Sequence, residues 1–143
     1  MPSSIDGSII VFSKNESHLL HKVNEIKVPL PIDNLSVDKK GDIYAATFPK
    51  AYKWAESSRA PFDVHPPSAV YRIRTSGKEY EDTRRKPNLE THQGDYVVEK
   101  VIEDDGSVLP GTTTAVHDAE TGRIFLGGVM SPYITICESA PHG

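Results

Sequence analysis

Asp33 and Asn34 are the residues of this chain whose types and spacing best suit chemistry. They stand side by side in the stretch "PLPIDNLSVDKKGDIYAATFPK", residues 29–50. A carboxylate beside an amide carbonyl offers two hard oxygen donors side by side. Adjacent residues of a regular strand point to opposite faces. Both side chains therefore reach one ion only where the backbone turns, and Pro29 and Pro31 just upstream favour an irregular start to the strand. The same two residues also suit a plain turn, in which Asp and Asn side chains bond nearby backbone amides. The residues alone leave both readings open.

The other chemistry-bearing groups are isolated in sequence. His18 and His21 surround a hairpin turn, His65 lies in a proline loop, His92 in a polar stretch and His142 in the tail; His117 is expected to be exposed near a turn. None has a sequence neighbour that would tune it as an acid or base. Cys137 is the single cysteine, so no intrachain disulfide forms, and it reads as a buried structural thiol. Thr112, Thr113 and Thr114 offer hydroxyls in a segment that suits a strand edge, and Gly127-Gly128 suits a strand that lies close to the axis of a ring of sheets rather than a binding site. Arg84-Arg85-Lys86 reads as a solvated run. No G-x-S-x-G elbow, phosphate-binding loop or H-E-x-x-H motif occurs.

Strands must position these groups. Eleven prolines and ten glycines in 143 residues cut the chain into short pieces and exclude long helices. About nine pieces read as strands: "SIIVFSK", "LLHKVNEIKV", "DNLSVD", "DIYAATF", "AVYRIRT", "YVVEKVIE", "TTAVHD", "RIFLGG" and "YITICE". Residues 49–67 allow one or two helical turns carrying Trp54 before Pro61, Pro66 and Pro67 stop them. Residues 76–94 are nearly all polar and read as an exposed loop insertion. "SVDKKGDIYAAT" and "AVHDAETGRIFLGG" share a pattern of Val, polar turn, Gly, charge, Ile and aromatic. A hairpin of this kind followed by two more antiparallel strands is the unit of a propeller blade.

The expected fold class is therefore all-β: a partial β-propeller of about two to three blades of four-stranded antiparallel sheet. It is expected to form one domain over 1–143, with a half blade at 8–28, a full blade at 33–103 carrying the polar loop 76–94, and an incomplete blade at 112–138. Such a stack leaves two open faces expected to carry Val, Ile and aromatic side chains, which favours self-association. A formal net charge of −4 argues against a nucleic-acid groove. No apolar run approaches the roughly 20 residues of a membrane-crossing helix. The start "MPSSIDGSIIVF" lacks a basic segment followed by an apolar one, so no signal peptide is expected and the default location is cytoplasmic.

Three segments carry a resemblance. "PIDNLSVDKKGDIYAATFP", "SAVYRI" and "VVEKVIEDDGSVLPGTTTAVHDAETGRIFLGGVMSPYITICE" resemble the C-terminal part of the paraoxonase/arylesterase family, within the wider group of calcium-dependent, gluconolactonase-like six-bladed propellers. The similarity runs from about residue 7 to Glu138, apart from the polar insertion. It implies that Asp33 and Asn34 face a central channel and hold calcium. It also implies hydrolysis of a small-molecule ester, lactone or phosphotriester. The family's other calcium ligands and its histidine acid/base residues belong to segments without a counterpart here, and a histidine of many relatives is Phe48 in this chain. The resemblance thus implies a fragment of a hydrolase, inactive or barely active alone, with no catalytic residue assigned. Three rivals stand beside it: a non-enzymatic interaction module, a truncated gene product, and a metal-free strictosidine-synthase-like propeller, which retention of Asp33-Asn34 disfavours.

Overall fold

A computed structural model of the chain describes residues 1–77 and 90–138. The run Arg84-Arg85-Lys86, most of the polar loop, and His142 lie outside the described residues. Ten strands occur among the described residues: β1 (Ser8–Lys14), β2 (Leu20–Lys27), β3 (Ile32–Val37), β4 (Ile43–Thr47), β5 (Ser68–Thr75), β6 (Glu90–Gln93), β7 (Tyr96–Asp104), β8 (Thr114–Asp118), β9 (Arg123–Gly127) and β10 (Thr135–Cys137). One short helix, α1 (Ala51–Ser57), carries Trp54. The strands form three antiparallel sheets: β1-β2, β3-β4-β5-β7-β6 and β10-β9-β8. The fold is all-β and partial-propeller-like, and among the described residues no sheet closes into a barrel.

Alternation along the strands explains the stacking. Ala45, Tyr71, Ile73 and Val98 occupy one face of the five-stranded sheet and pack on Ile9 and Ile26 of the two-stranded sheet. Tyr44 and Val70 occupy the other face and pack on Ala115 and Leu126 of the three-stranded sheet. The middle sheet is therefore buried on both faces. Turn chemistry fixes the inner hairpins. Gly41 between β3 and β4 has φ +80°, the left-handed conformation that glycine adopts without strain, and Gly122 between β8 and β9 repeats it at +72°.

Two features differ from the sequence expectation. The middle sheet has five strands rather than four, because β6 forms within the polar stretch 76–94 and pairs with β7. Its residues Glu90–Gln93 include no aliphatic side chain, so periodicity could not reveal it. Gln93 also ties this outer edge to the neighbouring sheet. Its Nε2 donates to the carbonyl of Lys27 at 2.5 Å, and the amide of Lys27 donates to its Oε1 at 2.8 Å. Secondly, the open face of the two-stranded sheet is not an apolar plane. Ladder partners Ser8 and Lys27, Ile10 and Glu25, Phe12 and Lys22 share it. Ion pairs Lys22–Glu25, Glu25–Lys27 and Lys27–Asp6 run along it at 2.5, 2.7 and 2.8 Å.

Candidate functional site

Asp33 and Asn34 sit on a β-bulge. Ile32 faces Thr47, but the next paired residue, Leu35, faces Ala45, so three steps of β3 oppose two steps of β4. A bulge bends the strand and re-aims its side chains. This supplies the backbone irregularity that two adjacent ligands of one ion require. Asp33 is half-buried, and burial pushes its carboxyl above the usual aspartate range. No hydrogen bond or ion pair holds that carboxylate among the described residues. Asn34 is exposed, and its Nδ2 donates to the carbonyl of Thr113 at 2.9 Å. Its Oδ1 is the acceptor that remains for a ligand. Neither side chain makes the local backbone bonds of an ordinary Asp-Asn turn.

Asn34 is the first of three rungs between β3 and β8. Ser36 Oγ donates to the carbonyl of Ala115 at 2.6 Å. Asp38 Oδ2 accepts from His117 Nδ1 at 2.8 Å. Each rung joins residues 79 apart, and the rungs follow every second residue of the strand. One edge of the five-stranded sheet is thus zipped to one edge of the three-stranded sheet, in parallel and in register.

The third rung corrects the expectation that His117 is exposed and without a partner. Its side chain retains 16% of its exposure, and the Asp38 side chain retains 1%. The His117 ring stacks on Tyr44, with centroids 4.7 Å apart and planes at 25°. Asp38 Oδ1 also accepts from the amides of Lys40 and Asp42, each at 2.9 Å. Burial pushes the Asp38 carboxyl up, but the bonds from His117, Asp42 and Lys40 outweigh it and hold the group below the usual range. The ionised carboxylate accepts only, so the ring presents Nδ1–H to it. An imidazole held this way is the geometry of an oriented base. It stands five residues along from Asp33, about 16 Å at strand spacing, and so belongs to the far end of the inner strands. Beside it Asp42, itself buried, accepts from Arg72 Nε at 2.9 Å and from the same guanidinium's Nη2 at 2.5 Å.

The remaining candidates fall into structural roles. Thr112 and Thr113 are buried; the Thr112 amide donates to Ser68 Oγ at 2.8 Å and the Thr113 amide to Gly127 O at 2.9 Å. Thr114 begins β8 and is half-buried. Gly128 lies against another backbone: a Cβ there would lie 2.3 Å from the carbonyl oxygen of Gly111. Gly127 has open space instead. His18 and His21 lie exposed about the β1–β2 turn, and His65 is exposed. The backbone of His92 is part of β6. Phe48 packs against Trp54, with ring centroids 5.2 Å apart. Cys137 is half-buried, and burial pushes its thiol up, the opposite of what a nucleophile needs. Among the described residues no three or more His, Cys, Asp or Glu side chains gather as a metal cluster.

No family model matches the chain, and no curated protein matches it.

Proposed function

We propose that the chain is part of a calcium-dependent, paraoxonase-like hydrolase, in which Asp33 and Asn34 are two of the metal's ligands. The observation that carries this reading is the bulge at Asp33-Asn34, with a half-buried, unpartnered carboxylate beside an amide whose nitrogen is engaged elsewhere. Unpaired carboxylates in a partly desolvated position cost stability, and they concentrate at functional sites. The donor set is all oxygen, which fits calcium. It supplies two of about six to eight ligands, so water or another polypeptide segment completes the shell.

Within this reading each residue has a defined task. Asp33 contributes negative charge from a position that disfavours it without a cation. Asn34 presents Oδ1, and its bond to Thr113 O fixes the amide plane. Ser36 and Asp38 hold the strand behind it in register. Calcium bound there supplies Lewis acidity, polarising an ester, lactone or phosphotriester oxygen. The chain alone is expected to be inactive or barely active.

Calorimetric titration with calcium chloride tests the reading, with magnesium chloride as the competitor and the Asp33→Ala/Asn34→Ala double variant as control. The expected result is a calcium-specific heat that the double variant lacks. Equal heats in both chains, or none in either, overturn the assignment.

A further inference from the structure

Asn34 is aimed by one backbone carbonyl, that of Thr113. Thr113 itself lies outside the strands, because β8 begins one residue later at Thr114. It ends the link 105–113, which carries the chain from the five-stranded sheet to the three-stranded one. A connecting link shifts unless something ties it down. Two bonds do so here. The Thr113 amide donates to Gly127 O at 2.9 Å, which ties it to the three-stranded sheet. The second tie comes through the residue before it. The Thr112 amide donates to Ser68 Oγ at 2.8 Å, and Ser68 is the first residue of β5, in the sheet that carries Asn34.

Ser68 uses its hydroxyl in both directions. Oγ donates to Leu109 O at 2.5 Å while it accepts from Thr112 N, so one atom clamps both ends of the stretch 109–112. Between them Gly111, at φ +59°, donates its amide to Pro66 O at 2.9 Å, and the stretch folds back onto the start of β5. The clamp is closed to solvent: Ser68, Leu109 and Thr112 are all buried. Removing the hydroxyl leaves a buried carbonyl and a buried amide without that partner. β3 and β5 both pair with β4, so Ser68 and Asn34 are held in one ladder. Ser68 therefore fixes where the Thr113 carbonyl stands relative to β3. The Gly127 bond, made within the other sheet, does not.

We infer that Ser68 is a positioning residue of the Asp33-Asn34 site. Its hydroxyl sets the Thr113 carbonyl, that carbonyl sets the plane of the Asn34 amide, and the plane sets the direction of Oδ1. Groups that orient a metal's ligands govern affinity nearly as the ligands do, and losing one costs about tenfold to a hundredfold. The inference rests on the calcium reading for its effect on metal binding. The aim of Asn34 does not depend on that reading and is measured without metal.

Ser68→Ala in the full chain tests it, with Ser57→Ala as the matched control. Ser57 is as buried, and its hydroxyl donates to Trp54 O at 2.7 Å without touching the link 105–113. Each variant must keep the circular dichroism of the parent. Ser68→Cys, which keeps the bulk but bonds weakly, replaces alanine if that chain does not fold. The first readout is the Asn34 side-chain amide resonance of the metal-free chain. It should move in the Ser68 variant and stay in Ser57→Ala. The second is calorimetric titration with calcium chloride, in which the Ser68 variant should bind about tenfold more weakly or worse and Ser57→Ala should match the parent. An Asn34 resonance unmoved in the Ser68 variant overturns the inference whatever the parent binds. So does calcium affinity equal to the parent's. A parent that takes no calcium while the Asn34 resonance still moves overturns the calcium reading and leaves Ser68 as the residue that aims Asn34.

Discussion

Replacing Asp38 with alanine removes one buried side chain and three hydrogen bonds at once. Those bonds run from the amides of Lys40 and Asp42 and from His117 Nδ1. A hydrogen bond of this kind contributes about 1 kcal/mol net, and about 1.5–3 kcal/mol when one partner is charged. Allowing for relaxation of the exposed Lys40 amide, the loss comes to about 3 kcal/mol. For a chain of this length the unfolding entropy is about 300 cal/mol/K, so the melting temperature should fall by about 10 °C. Asparagine is the discriminating control. Its Oδ1 still accepts from the two amides, and a neutral imidazole can change tautomer to accept from its Nδ2. Asp38→Asn should therefore cost about 1 kcal/mol. The pH dependence has a definite sign. A carboxyl held below its usual value contributes stability that is present above that value and lost as pH falls through the folded one. The gap between parent and Asp38→Asn should thus be full at neutral pH and shrink as pH drops below the usual aspartate value of 3.8. Urea unfolding followed by circular dichroism measures all three proteins. Equal losses for Asp38→Ala and Asp38→Asn, or a loss below about 1 kcal/mol for alanine, would refute the argument that this side chain joins the turn to the neighbouring sheet.

Other substitutions probe the remaining features. Asp33→Asn should stabilise the metal-free chain at neutral pH, because burial raises the carboxyl and ionising it costs stability; the advantage should vanish once pH falls below 3.8, and urea midpoints at both pH values check it. Gly128→Ala should lose about 3 kcal/mol, since its methyl would press on the Gly111 carbonyl, while Gly127→Ala stays within about 0.5 kcal/mol; thermal melts separate the two. Gln93→Ala should cost about 1 kcal/mol and speed exchange of the Lys27 amide, which loses its acceptor.

The parts of the fold that follow from local pattern were legible in the chain. Alternation in "AVYRIRT" gives β5, and the glycines of the two inner turns have the positive φ their places suggest. β6 was not legible, because backbone pairing to β7 and the Gln93 amide hold it rather than buried side chains. The Asp33-Asn34 position could be found from residue type, but the bulge beneath it and the Asn34 partner at Thr113 could not. His117 was misjudged for a related reason. Its partner lies 79 residues upstream and arrives only when two sheets stack. The two-stranded sheet's open face was expected to be apolar because an incomplete stack of blades leaves its end faces uncovered; the ladder shows that Lys22, Glu25 and Lys27 share that face.

The uniform spacing of the three rungs has a consequence for the order of folding. Each inner hairpin closes over a handful of residues, whereas every rung between β3 and β8 closes a loop of 79. Relative to a five-residue turn, that closure costs about 2.4 kcal/mol more in chain entropy. No single rung repays it, so the three form together, after both hairpins exist. Until that docking, the Asn34 side chain has no Thr113 carbonyl to aim it, and the two oxygen donors become a fixed pair only in the closing step of folding.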